Sequence, residues 1–485
     1  MSGSQDYDVI VVGSGFGGSS AAESLARGGL KVAILERGTW WGAFTGHRPY
    51  PETLPQIIAA LAGLNLSGFG RSLNIPLSRR GLLEVSLHGG TIVVNSSCVG
   101  GNSPVSGEYL ARPEPQFFDA LPPELTAAEL DPHYQRIERA LEVAPGPQDE
   151  GKLALLTALA DKQQWKIRPT PQAIRWKSDD EASQPPCTNC NRCMFSCNVG
   201  AKMSMDQTLI PSAIKAGAVL RDMCEVQTVE PVTGGYEVRV HDGPQGRTGD
   251  LRAPRVVLAA GTLNTLKILL RSTVVGGLGT IPGLGQHFSM TGDHLALYRV
   301  SRDIEPEKIT GHIMHTEIRV PGSGNEFDQL ILCGTTPIVP GSWLMRRLQG
   351  RRTLGMLGFG PDSMDGQVSW KGRGIVVRHD PQSVVRRIQV SMDRIAQTHG
   401  WNKPVRQAGP EQRVRSWLSF HPLGGCRMAA DASRGVVDFR GEVFGHPGLY
   451  VADASVFPTV TIAGPQLSVS ALASWIAERI IKDAV

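Results

Sequence analysis

At 485 residues the chain is too long for one simple core, and two intimately joined domains are expected. With 41% hydrophobic and 19% charged residues it has the composition of a globular enzyme, and its 56 glycines favour tight turns and close backbone approach to a ligand. A formal net charge of +4 is small for this length and argues against nucleic acid as an obligatory partner.

The segment Met1–Tyr7 is polar and leads straight into a strand, so no secretory leader is expected. No apolar run reaches the roughly 18 residues a spanning helix needs; the stretch from Ile57 to Leu66 is too short. No transmembrane segment and a cytoplasmic, reducing setting are therefore expected, and the eight cysteines are not read as a disulfide set.

Tyr7 to Val12 is a short apolar run rich in β-branched residues, the pattern of a buried parallel strand. Gly13-Ser14-Gly15-Phe16-Gly17-Gly18 follows at once, then a helical stretch from Ser19 to Gly28, then a second strand from Lys31 to Leu35 ending in Glu36. Gly13 permits the tight turn, Gly15 lets backbone N–H groups approach a pyrophosphate, and Gly18 lets helix and sheet pack closely. The helix N-terminus favours the phosphate charge, and Glu36 lies where an acid takes the ribose hydroxyls. NAD and FAD share this fingerprint, so the motif alone leaves the choice between them open.

Further along, Cys98-Val99-Gly100-Gly101-Asn102-Ser103 runs on to Ser106-Gly107 and Arg112-Pro113. Residues 108–145 carry helical stretches, including Ala127–Val143, joined by proline-rich turns. Cys187, Cys190, Cys193 and Cys197 have the spacing of a bacterial ferredoxin motif, without the proline that usually follows. An iron–sulfur cluster, a structural zinc and metal-free packed thiols are all compatible with it. Val256 to Leu263 is a strand running into Ala259-Ala260-Gly261, small enough for the backbone to close over a cofactor. The span 281–419 contains a strand at Gly374–Arg378, a helix near Pro381–His399, and a basic amphipathic stretch, Trp343–Arg352, read as a solvated helix or a membrane or partner surface. His421-Pro422-Leu423-Gly424-Gly425-Cys426 and the run from Gly448 to Pro458 follow, and Leu467–Ile481 has helical spacing.

Taken together and in order, these stretches resemble the glucose–methanol–choline (GMC) flavin oxidoreductases, on the branch that includes cholesterol oxidases and bacterial dehydrogenases with a cysteine-rich segment. The resemblance implies an α/β protein in which a Rossmann-like FAD-binding domain is interleaved with an α+β substrate domain on an antiparallel sheet. The implied segments are 1–110 (FAD domain), 111–185 (helical cap), 186–285 (FAD domain with the cysteine loop at 187–197), 286–419 (substrate domain) and 420–485 (FAD domain with the catalytic histidine). FAD contacts are implied for Gly13, Gly15, Phe16, Gly18, Glu36, Arg37, Val99, Gly101, Asn102, Ser103, Ser106, Val226, Ala260, Gly261, Asp453, Ala454, Gly464 and Pro465.

His421 is the implied catalytic base, removing a hydroxyl proton while a hydride passes to the flavin. The expected substrate is a small-molecule alcohol. The electrons go on to an acceptor, an electron-acceptor protein among the options, through an iron–sulfur cluster if the cysteine run binds one. An oxygen-using oxidase without a cluster, a non-redox lyase on the same fold and an electron-transfer subunit are the alternatives. Two positions depart from the family pattern: Gly464 stands where a second catalytic Asn or His is usual, and Ser106 where an Asn is usual. His88, His287 or His294 could substitute for the missing group.

Overall fold

The computed structural model describes residues 7–42, 46–68, 71–88, 90–147, 165–177, 185–190, 192–193, 197–243, 246–299, 314, 316–321, 327–335, 353–398 and 417–484. The basic stretch Trp343–Arg352 lies outside the described residues.

A five-stranded parallel sheet stands at the centre, in the order Val219–Arg221, Val32–Leu35, Val9–Val12, Arg255–Leu258, Leu449–Val451. The Val9–Val12 strand has neighbours on both sides, with Val9 opposite both Val32 and Arg255. All four of its residues are buried, which is why the run is apolar without alternation. The Phe16–Arg27 helix that follows carries only glycine, serine and alanine from Gly17 to Ala22, all buried. Such small residues let it lie close both to the sheet and to the Gln466–Ala484 helix, where Ser470 Oγ donates to the Phe16 carbonyl at 3.2 Å. The Gln466–Ala484 helix is itself buried from Leu467 to Ala477.

A second, antiparallel sheet has the order His294–Arg299, Thr353–Phe359, Phe327–Thr335, Thr316–Pro321, Lys166–Pro169. The Gln382–Thr398 helix packs on it through Val384, Val385, Ile388, Met392 and Ile395, spaced three or four apart as one helical face requires. Gly358 makes the approach close: a Cβ there would lie 2.2 Å from Ile388 Cγ2. The edge strand Lys166–Pro169 comes from the stretch read as helical cap, which also supplies the Ala127–Ala140 helix. A three-stranded antiparallel sheet, Cys224–Val232, Gly235–Asp242 and Arg247–Ala253, sits beside the parallel one.

The third five-stranded sheet runs Trp417–Ser419, Thr91–Ser96, Leu83–His88, Leu61–Gly68, Arg71–Pro76. Its two faces are reversed from the usual sense. Ser67, Glu84, Ser86 and His88 are buried, whereas Leu66, Leu73 and Leu87, cross-strand neighbours on the other face, are 41%, 56% and 38% exposed. The apolar stretch from Ile57 to Leu66 thus divides between a short helix, Leu54–Ala59, and the Leu61–Gly68 strand. Among the described residues no helix is long and apolar enough to cross a membrane.

Candidate active site

The three five-stranded sheets meet around one cavity of about 420 Å³, within the range of small-molecule and cofactor sites. At one end its wall is mostly backbone. Gly13 adopts φ +97° in the turn after the first strand and donates its N–H to the Leu35 carbonyl at 2.8 Å. Gly17 and Gly18 are fixed by the protein's own packing: a Cβ on Gly17 would lie 1.9 Å from the Ala452 carbonyl, and one on Gly18 2.0 Å from that of Gly13. Gly15 differs, because a Cβ there would meet only Gly101 Cα, at 3.7 Å, and would otherwise project into open space. Gly101, at φ +58°, presses backbone to backbone on Gly15. This bare cradle at a helix N-terminus fits a pyrophosphate.

Glu36 borders the same end, its carboxylate held by the Ser14 hydroxyl at 2.7 Å and the Gly38 N–H at 2.8 Å. Arg37 is paired with Glu84. Asp453, buried between strand and helix, accepts from Gly261 N–H at 3.0 Å, Thr265 Oγ1 at 2.5 Å and both the N–H and hydroxyl of Ser455. Burial pushes its carboxyl up from the ordinary range, and these donors oppose that shift.

At the other end the wall is made of side chains. Leu295, Met314, Leu332, Leu357, Phe359, Leu418 and Phe420 face the cavity. Tyr109 faces it too, but its hydroxyl donates to the buried Glu317 at 3.0 Å. Against this apolar surface stands His421. Its Nδ1 lies 3.1 Å from Asp293 Oδ2 but off the line of a ring N–H hydrogen bond. Its Nε2 lies 3.0 Å from Nε2 of Gln466, the first residue of the Gln466–Ala484 helix. Asp293 is itself fixed, Oδ2 accepting the Phe420 N–H at 2.6 Å and Oδ1 the Thr291 hydroxyl at 3.0 Å.

Of the residues picked out in the sequence, Gly13, Gly15, Phe16, Glu36, Arg37, Gly101, Asn102, Ser106, Val226, Ala260, Gly261, His421, Asp453, Ala454 and Pro465 line the cavity. Gly18, Val99, Ser103 and Gly464 stand behind the lining. Gly18 serves helix packing, Val99 donates its N–H to the Thr39 carbonyl, and the Ser103 hydroxyl closes its own turn on the Gly100 carbonyl at 2.8 Å. Ser106 Oγ donates to Glu108 at 2.7 Å, and burial raises that carboxyl to about 7. Neither His88 nor His294 substitutes for the missing second group. His88 stands outside the cavity lining, bonded to Ser67, with burial lowering its pKa to about 4, and His294 is bonded to Gln389. Among the described residues His421 is the histidine that lines the cavity, His287 lying outside it.

Sequence reasoning missed Asp293 and Gln466. Nothing local marks Asp293, which follows a turn with positive φ at Thr291 and Gly292. Gln466 stood two residues beyond the conspicuous gap at Gly464.

The cysteine loop lies behind the Ser106 wall. Lys202 joins the two, its buried ammonium donating to the carbonyls of Cys193, Pro104 and Ser106 at 2.8, 2.7 and 2.6 Å. Burial pushes the Cys193 thiol well up, and Cys197, Cys187 and Cys190 add to the shift. Cys193 is nevertheless buried while Cys190 is exposed, and among the described residues no three such ligands converge as a metal cage requires.

A family model described as GMC oxidoreductase matches this chain in two parts, residues 7–291 and residues 376–473. An uncharacterized GMC-type oxidoreductase of Mycobacterium tuberculosis is 27% identical, over 99% of this chain and 76% of its own length. A cholesterol oxidase of the same species is 25% identical, over 96% of this chain and 90% of its own. Among solved structures, pyridoxine 4-oxidase from Mesorbium loti shares the fold with a TM-score of 0.68 at 18% identity, covering 97% of this chain and 98% of that one.

Proposed function

The chain belongs to the GMC oxidoreductases, FAD-dependent enzymes acting on CH–OH groups, and from that premise we propose that it oxidises an alcohol whose hydroxyl is carried on an apolar body. The observation that carries the reading is His421, a single proton acceptor set in a wall of leucine, methionine and phenylalanine. The glycine turn at 13–18, Glu36, Gly101, Asn102, Gly261 and Asp453 would hold the cofactor. Bound FAD would accept the hydride that leaves the carbinol carbon.

The chain's own residues do the rest. His421 Nε2 would take the hydroxyl proton. Asp293 favours a proton on Nδ1, which leaves the lone pair at Nε2, and it supplies the counter-charge once the ring is doubly protonated. The apolar wall binds the body of the substrate and excludes water, which strengthens the charge interactions inside. The N-terminus of the Gln466–Ala484 helix, open to the cavity, favours negative charge there.

Anaerobic bleaching of the flavin tests the reading. Primary alcohols of increasing chain length should bleach it, the longer ones at lower concentration, and glycerol or glucose should not. Bleaching by the polyols alone would sink the apolar-substrate reading; no bleaching by any alcohol would favour a non-redox lyase. Electrons are assigned to an acceptor that meets the reduced cofactor, without a step through the cysteine loop. Iron and acid-labile sulfide in anaerobically purified protein would reopen that route. A cytoplasmic setting suits the eight free thiols.

A further inference from the structure

Gly464 leaves a gap where a polar side chain is usual, and the structure fills it from elsewhere. A Cβ built on Gly464 would lie 2.2 Å from Gln466 Oε1, 3.1 Å from its Cδ and 3.3 Å from its Nε2. The Gln466 carboxamide therefore occupies the volume that a side chain at 464 would need. Gly464 does not have the positive φ that would demand glycine, so its small size matters for the space it leaves. From that space the Gln466 amide reaches His421 Nε2 at 3.0 Å, the nitrogen assigned to the reaction. Gln466 Oε1 is buried without a hydrogen-bond partner.

We propose that Gln466 is the second catalytic group of this site, folded back into the space left by Gly464. The proposal rests on the reading of His421 as the proton acceptor. In the resting site the amide N–H donates to the lone pair on Nε2 and keeps the ring aimed at the cavity. A substrate hydroxyl must take over that lone pair, and the amide N–H is then free for the substrate oxygen. As the O–H bond breaks, its proton goes to Nε2; as the C–H bond breaks, its electron pair leaves as hydride and the C=O bond forms. The oxygen gains carbonyl character and accepts from the amide N–H. When Nε2 carries the proton it can no longer accept, and the same amide turned end for end presents Oε1 to it. A carboxamide can serve both states because it carries donor and acceptor on one flat group.

The test uses FAD-loaded full-length protein with labelled histidine, reading the His421 ring nitrogens by NMR, with their signals identified by their loss in His421→Gln. In wild type, Nε2 should resonate as a hydrogen-bonded acceptor. Gln466→Leu should shift it to the position of an unbonded ring nitrogen. Gly464→Ala should give the same shift, because the new methyl group needs the space of Oε1 and pushes the amide off the ring without touching it. It also carries the test if Gln466→Leu fails to fold. Bleaching by 1-octanol should slow about 10²-fold in Gln466→Leu, the usual loss for one preorganised donor. Unchanged His421 resonances in both variants, or bleaching by Gln466→Leu within twofold of wild type, would overturn the proposal. Failure of the functional reading looks different: His421→Ala would then bleach at the wild-type rate.

Discussion

The cradle at one end of the cavity is backbone: Gly13 and Gly15 are fixed by a strand, a turn and a helix that are neighbours in sequence, and Gly101 closes on them from a distant loop. The group of Asp293, His421 and Gln466 at the other end is side chain, brought together from three distant segments. The first end tolerates no added atoms where the protein packs on itself and has room only where a ligand belongs. The second depends on which functional groups arrive, and one of its positions is filled from two residues away. A nucleotide site can thus be kept by holding a few glycines, while the reacting site changes by exchange of side chains.

Three substitutions would break or sharpen that contrast. The largest effect is expected from His421→Ala, which should slow flavin bleaching by alcohol about 10²–10⁴-fold while FAD content stays at the wild-type level. Stopped-flow reduction at the wild-type rate would show that the reacting end lies elsewhere. Gly17→Ala should damage the fold, because its Cβ would sit 1.9 Å from the Ala452 carbonyl. Overpacking against backbone should cost about 3 kcal/mol or more, read as a lower denaturation midpoint of the apoprotein. The smallest change is expected from Gly15→Ala, whose Cβ has room in the protein. Its apoprotein should melt like wild type while FAD binds roughly tenfold more weakly, the order of one lost contact. Equal melting points for the two glycine variants, or equal FAD affinity for Gly15→Ala and wild type, would erase the distinction between packing glycine and cradle glycine.

What could be read in the sequence follows the same division. The segment from Val9 to Glu36 declares itself because strand, glycine turn, helix and acid follow one another along the chain, even where the atoms that exclude a Cβ come from far away, as the Ala452 carbonyl does for Gly17. His421 was legible through the motif around it. Asp293 was not, since its role comes from the Phe420 N–H and the His421 ring, both more than a hundred residues distant. The gap at Gly464 was legible but its occupant was not, because a glutamine at a helix start is unremarkable until the chain folds back on itself. The sheet of residues 61–96 shows a third case. Its alternation of leucine with asparagine and serine is plain in the sequence, but alternation says only that two faces differ, not which one turns inward.

The order of strands in the parallel sheet has a consequence in time. The Arg255–Leu258 strand pairs on one side with Val9–Val12, but its other edge waits for Leu449–Val451. At 5–20 residues per second a ribosome takes roughly 10–40 s to cover that interval. The helix that bears Gln466, and against which the Phe16–Arg27 helix packs, emerges later still. A nascent chain therefore holds the glycine turn ready long before the surface that closes over it exists. Cofactor capture and the burial of the first helix become late events of synthesis, and translation stalled before residue 449 would leave a strand edge open to mispairing.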